Sequence, residues 1–191
     1  MFQCCRLNTL CGITVRIALI ILAVLAVSIF TKTYYTHDTL ASDTDEIERR
    51  FPSVSHISIV EVAPLLMSNQ NLEQVLLLDS RTQDEYAVSH IPGALLYRDS
   101  TELREKIQRT SESRLPVIIY CSVGYRSSEL AEQLAADGLD SVYSLRGGIF
   151  EWANRGLPLD STHAERVREV HPFNSTWGRY LRPELRAKML K

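Results

Sequence analysis

Cysteine is nearly absent from the body of this chain. Its 191 residues hold four, and Cys4, Cys5 and Cys11 all fall at the very start, which leaves Cys121 by itself in everything that follows. A disulfide-stapled scaffold is thereby excluded, and so is dithiol exchange, which needs a resolving partner. No group of Cys and His has the spacing of zinc ligands, so neither a metal nor another cofactor is expected. An excess of one charge is lacking too. Lys and Arg number 21 against 23 Asp and Glu, a net charge of −2, which leaves no electrostatic footprint for nucleic acid. Glycine (8) and proline (7) are too sparse for a low-complexity or collagen-like chain, and no internal repeat is visible. What remains is an ordinary globular composition, long enough for one modest domain with appendages.

One long hydrophobic run is present. Residues 13–30, from Ile13 to Phe30, are almost wholly apolar, with Arg16 near one end. The run approaches the roughly 20 residues of a membrane helix, and an arginine near its end can reach the interface. The small residues Ala26-Val-Ser28 keep a cleaved signal peptide as the alternative. The expected organisation is an N-terminal segment over 1–12, a transmembrane helix or signal anchor over 13–32, a polar linker over 33–55, a globular domain over 56–160 and a basic extension over 161–191. Arg6 lies before the run and Arg16 near its amino end, and Lys32 is the near basic residue after it. That bias puts the amino terminus in the cytoplasm, and the globular domain across the membrane, on the periplasmic side.

From His56 onward, short apolar runs alternate with helical patterns. Strands are expected at His56–Ile59, Val75–Leu78, Leu95–Tyr97, Val117–Tyr120 and Val142–Ser144. Helices are expected near Glu61, Asp84, Thr101–Arg109, Glu129–Ala136 and Phe150–Asn154. This is the signature of an α/β fold, a mostly parallel five-stranded sheet flanked by helices.

The most informative stretch is Pro116-Val-Ile-Ile-Tyr-Cys121-Ser-Val-Gly-Tyr-Arg126-Ser-Ser-Glu. A buried strand ends on a cysteine, a glycine-bearing loop follows, and a helix begins, with Ser127 or Ser128 as candidate N-cap. Backbone N–H groups of such a loop, at a helix N-terminus, can converge on negative charge. The chemistry that calls for this setting is a thiolate nucleophile. A lone buried cysteine is usually inert packing; the strand–Cys–Gly–Arg–helix context argues against that here.

Three segments in order resemble the rhodanese family of sulfurtransferases. The loop Cys121-Ser-Val-Gly-Tyr-Arg126 is similar to the six-residue active loop of its single-domain members. Leu78-Asp-Ser-Arg81-Thr-Gln-Asp-Glu85-Tyr-Ala-Val-Ser-His90-Ile-Pro-Gly93-Ala resembles its upstream signature, with Ser89 where glycine is usual. Leu145-Arg-Gly-Gly148-Ile-Phe-Glu-Trp152-Ala-Asn-Arg-Gly156-Leu-Pro158 resembles its closing segment. The resemblance implies that Cys121 takes sulfane sulfur from thiosulfate or a persulfide and yields it to a thiol or cyanide-like acceptor. It implies a cradle built from Ser122, Val123, Gly124, Tyr125, Arg126 and Ser127. Arg126 would anchor the loop or help bind an anionic donor. Asp79 and Arg81 are supporting candidates, read either as pocket neighbours or as a structural ion pair. Glu85 and His90 read as groups that hold the fold. Ser122, Val123 and Tyr125 bring no positive charge, so thiosulfate is expected to be a poor donor.

Two other functions share the pattern. One is a rhodanese-fold binding or sensing module with little turnover. The other is a phosphatase or arsenate reductase, but related enzymes of that kind place five residues between cysteine and arginine, where this chain has four. The tail after Pro158 carries Arg166, Arg168, Arg179, Arg182, Arg186, Lys188 and Lys191 around the aromatic stretch His171–Tyr180. It packs on the domain or a partner, lies near anionic lipid, or frays.

Overall fold

The structure is a computed structural model that describes residues 19–28, 40–67, 74–98, 101–112, 115–163 and 166–188. Two compact units divide at Asp38 and Thr39. In the first unit the described residues, 19–28, form a helix of ten residues. Among the described residues no helix is long and apolar enough to cross a membrane. The expectation of a membrane-spanning helix over 13–32 is therefore corrected, and with it the membrane partner and the periplasmic placement of the domain. Residues 13–18 and 29–32, and the segment 1–12, lie outside the described residues.

The second unit, Thr39–Lys191, is built on five parallel strands: β1 (Ser55–Ile57), β2 (Leu76–Asp79), β3 (Leu95–Leu96), β4 (Val117–Tyr120) and β5 (Val142–Leu145), in the order β1-β5-β4-β2-β3. The inner strands β2 and β4 are buried at every position. Helices on both faces of a parallel sheet explain why these strands read as unbroken apolar runs. Register pairs Leu78 with Ile119 and Asp79 with Tyr120, while Ile119 pairs with Ser144. The carboxyl ends of β2, β4 and β5 therefore stop side by side, and the loops after them meet at one edge. Open α/β sheets bind their ligands at this edge.

In this unit, helix α1 covers residues 40–50. It is followed by α2 (Ile59–Leu66), α3 (Gln83–Val88), α4 (Thr101–Glu112), α5 (Tyr125–Ala136), α6 (Gly148–Asn154) and α7 (Ser175–Gly178). α1 occupies part of the stretch expected as a linker. Leu40 and Ile47, with Phe51 just beyond, are buried in the same core as the sheet, so burial rather than periodicity decides its structure. The start of α2 also departs from expectation. Ser58 ends the strand early and caps the helix reciprocally with Glu61, its hydroxyl accepting from the Glu61 N–H and the Ser58 N–H donating to the Glu61 carboxylate.

The segment after Pro158 is part of the fold. Val170, Tyr180, Leu181 and Leu185 are buried. Asn154 of α6 donates to the Tyr180 carbonyl at 2.7 Å and accepts from the Arg182 N–H at 3.0 Å. The Tyr180 hydroxyl donates to Asp43 of α1, and the Val170 N–H donates to the Leu185 carbonyl at 2.7 Å. His90 holds the near end of this segment through paired backbone hydrogen bonds with Asp160, at 2.7 and 3.0 Å.

Candidate active site

Cys121 follows β4 directly, and α5 begins four residues later. The expected serine cap is not used. The N-cap is Gly124, at φ 122°, and no side chain caps this helix. Ser127 and Ser128 lie inside the first turn instead, their hydroxyls donating back to the Gly124 carbonyl at 3.0 and 2.8 Å. The N-terminal amides of α5 are thus not taken by a capping side chain. One of them, the Gly124 N–H, donates to Cys121 Sγ at 3.2 Å. A left-handed φ of this kind suits a residue without Cβ.

The loop's carbonyls are tied on the opposite side. At the start of α6 the Ile149 N–H donates to the Cys121 carbonyl at 2.9 Å, and the Phe150 N–H donates to the Ser122 carbonyl at 3.1 Å. Once its carbonyls face α6, the loop's amides are free to face the sulfur. This approach needs Gly148, where an added Cβ would sit 2.3 Å from the Cys121 carbonyl oxygen. The close contact explains the paired Gly147-Gly148 of the closing segment.

Beneath the thiol lies a chain of hydroxyls. The Ser127 hydroxyl is 3.8 Å from Sγ and 2.9 Å from the Ser144 hydroxyl. The Ser128 hydroxyl lies 3.1 Å from the Ser144 hydroxyl and 3.1 Å from His56 Nε2. All three serines are fully buried, so this polar floor is stable because its members satisfy one another.

Arg126 does not reach toward the thiol. Its two terminal nitrogens donate to the two carboxylate oxygens of Glu85, each at 2.8 Å, and one also donates to the Ser122 hydroxyl at 3.0 Å. A second Ser122 contact, hydroxyl to Glu85, measures 3.2 Å. Burial pushes the Glu85 carboxyl up. The Arg126 fork, the Thr82 N–H and the charges of Arg126 and Arg81 more than reverse this and hold it at about 2. Glu85 also completes a reciprocal cap of α3 with Thr82. Its role at the loop was not read from the sequence, although Thr82-Gln-Asp-Glu85 is a capping-box pattern that fixes where the carboxylate starts from.

Asp79 and Arg81 pair with each other rather than facing the cavity. Arg81 donates through Nε and Nη2 to both Asp79 oxygens, the shortest contact being 2.7 Å, and both side chains are fully buried. Arg81 also donates to the Ser89 carbonyl at 2.5 Å. That bond pins the turn where serine replaces the usual glycine. His90 stacks on Tyr86 at 3.9 Å between ring centres, a packing contact away from Cys121.

Cys121 is 1% exposed. The thiol is reached through a cavity of about 150 Å³ lined by Val123, Tyr125 and Arg126 and, from the tail, by Phe173 and Trp177. The sequence offered no spacing signal linking the last two to the loop. Among the described residues no group of His, Cys, Asp and Glu could hold a metal ion.

A strand-borne cysteine under a loop of this form, at the switch between β2 and β4, defines a class of thiol-based transferases and phosphatases. Comparison with known proteins decides between them. Residues 62–155 match the rhodanese-like domain family. Over 91 residues the chain is 40% identical to a sulfurtransferase of Allochromatium vinosum, covering 46% of this chain and 79% of that protein. Also over 91 residues, it is 33% identical to the thiosulfate sulfurtransferase GlpE of Actinobacillus succinogenes, covering 48% and 80%. A thiosulfate sulfurtransferase GlpE of Coxiella burnetii is 29% identical over 102 residues, covering 53% and 87%. The chain belongs to the rhodanese family of sulfurtransferases.

Proposed function

We propose that this chain transfers sulfane sulfur through a persulfide on Cys121. The observation that carries the reading is the Gly124 N–H donating to Sγ at 3.2 Å, at the floor of a cavity open to the loop. In the first half-reaction the Cys121 thiolate attacks the sulfane sulfur of thiosulfate or of a persulfide. The Sγ–S bond forms, and the donor's S–S bond breaks with its electron pair leaving on sulfite or on a thiolate. In the second, cyanide or an acceptor thiolate attacks the terminal sulfur, and Cys121 departs as thiolate. Sulfur moves at constant oxidation level, so no redox partner is required.

The residues divide the work. Gly124, and the backbone of Ser122 through Arg126, give electrostatic support to the persulfide anion. Arg126 positions the loop through Glu85 and Ser122. Ser127 supplies a hydroxyl within reach of sulfur. Val123 and Tyr125 shape the mouth. Asp79 and Arg81 stabilise the strand end from which the signature loop departs.

The test is intact-mass measurement on the full chain after incubation with thiosulfate or a persulfide donor, followed by cyanide. The wild type should gain the mass of one sulfur atom from thiosulfate and lose it to thiocyanate, and Cys121→Ala, which keeps Cys4, Cys5 and Cys11, should not gain that atom. Equal gain by Cys121→Ala would remove Cys121 as the carrier. Gain without release to any acceptor would favour the binding or sensing module.

A further inference from the structure

The tail that follows the family match builds one side of the cavity mouth. Phe173 and Trp177 face the active loop across a space of about 150 Å³ whose other walls include Val123 and Tyr125. Arg126 is the ionised side chain in that lining, and its charge is already engaged, since Glu85 holds it with a two-pronged hydrogen bond. Its guanidinium also lies over the Phe173 ring, 4.9 Å from the centre. A small dianion entering here would lose its water without gaining a free cation, an unfavourable exchange.

Phe173 is set at the mouth by its backbone. Its φ is 63°, a left-handed conformation that a bulky residue adopts only when its surroundings impose it. The His171 ring accepts from the Phe173 N–H at 3.1 Å. The Asn174 side chain caps α7, accepting from the Trp177 N–H at 2.9 Å. A Cβ at Gly178 would sit 2.8 Å from Pro172, so the turn carrying both rings is closely packed. The turn therefore fixes the Phe173 ring in the wall of the cavity that Cys121 also lines.

We propose that Phe173 and Trp177 form a subsite for an apolar, ring-sized substituent, and that the donor is a carbon-borne sulfane-sulfur anion rather than thiosulfate. An apolar cavity of about 150 Å³ is the size that holds a benzene ring. The inference rests on the sulfurtransferase reading and names its substrate class. With an aryl thiosulfonate, the ring occupies the aromatic mouth and the sulfane sulfur points at Cys121. The thiolate forms the new S–S bond, the donor's S–S bond breaks, and the electron pair leaves on the aryl sulfinate. The total charge is unchanged across the step.

The experiment compares benzenethiosulfonate, methanethiosulfonate and thiosulfate as donors to the full chain, with transfer to cyanide as readout. The quantity read is the ratio of kcat/KM for benzenethiosulfonate to that for methanethiosulfonate. It cancels the intrinsic reactivity that the two thiosulfonates share. The ratio should fall on the order of tenfold in Phe173→Ala and in Trp177→Ala. A measurement on the wild type alone guards against variants that fail to fold: benzenesulfonate should compete with the donor at a concentration at least about tenfold lower than methanesulfonate does. Ratios unchanged in both folded variants, equal inhibition by the two sulfonates, or a kcat/KM for thiosulfate at or above that for benzenethiosulfonate would overturn the proposal while leaving sulfur transfer intact. A chain that takes sulfur from none of the three donors overturns both readings.

Discussion

Glu85 and Arg126 stand 41 positions apart and join as a fork, two N–H···O bonds of 2.8 Å each. The pair links the cap of α3 to the first turn of α5 and so fixes the active loop from outside. Glu85→Gln keeps the shape and loses the charge. It should lower stability by about 2 kcal/mol, because Arg126 then lies against a neutral amide. The loop should loosen, and kcat/KM for sulfur transfer should fall by about tenfold or more. Arg126→Lys retains the charge but not the fork, so it should recover little activity. Denaturant unfolding and transfer kinetics on the two variants check this; a wild-type rate in Glu85→Gln would show that the fork does not set the loop.

The same pair gives an acid limit. Glu85 is held at about 2, below its ordinary value of 4.5. A carboxyl depressed in the folded state contributes its stability fully above the ordinary value. That contribution is lost as pH falls from there through about 2. The size is about 2 kcal/mol once water screening at the part-exposed Arg126 end is allowed for. Unfolding free energies measured from about pH 6 down to about pH 2 should decline more steeply for wild type than for Glu85→Gln. Parallel curves would assign the acid loss to other groups.

The residues that sequence reveals and those it hides differ in a physical way. Strand and loop residues are legible because their constraints are local. A four-residue apolar run buried on both faces, or a glycine where backbone must approach backbone, shows in the letters themselves. Cys121, Gly124 and the apolar strand that ends beside them belong to this kind. Glu85 and Arg126 carry no mutual spacing, since their meeting depends on how β2 and β4 pair. Phe173 and Trp177 are hidden for the same reason, because a tail's docking face is set by tertiary contacts such as Asn154 with Tyr180. α1 was missed because its few buried contacts, Leu40, Ile47 and Phe51, sit in an otherwise polar stretch. The apolar run near the amino terminus shows the converse. Composition suggests a span, yet among the described residues no helix is long and apolar enough to cross a membrane.

Asp79 and Arg81 form a fully buried ion pair, and such pairs are costly to break from one side. Asp79→Ala leaves the Arg81 guanidinium charged and unpaired, its charged form being favoured chiefly by Asp79 against the opposing effect of burial. The loss should be about 3–5 kcal/mol. Replacing both partners, as in Asp79→Leu with Arg81→Met, should restore more than half of it, because no charge then remains buried. Chemical denaturation of the single and double variants provides the comparison. A double variant no more stable than the single would mean that the Arg81 bond to the Ser89 carbonyl, and not the charge pairing, is what the turn requires.

Gly148 offers the sharpest separation of shape from strain. Its φ is 53°, and an added Cβ would lie 2.3 Å from the Cys121 carbonyl oxygen and 2.8 Å from the Ser122 carbonyl. Both neighbours are backbone, which cannot rotate away as a side chain can. Gly156 is a fair control, with φ at 72° and nothing within 4 Å of its added Cβ. Gly156→Ala should therefore cost about 1 kcal/mol from the left-handed backbone alone. Gly148→Ala carries the same backbone cost and a clash besides, for a total of about 3 kcal/mol or more. More telling is the functional split. Pushing α6 away releases the Cys121 and Ser122 carbonyls from the Ile149 and Phe150 N–H groups, and the loop can then turn its amides from the sulfur. Sulfur loading on Cys121 should collapse in Gly148→Ala and persist in Gly156→Ala. Equal loading by both folded variants would mean that the contact between α6 and the loop does not orient the cradle.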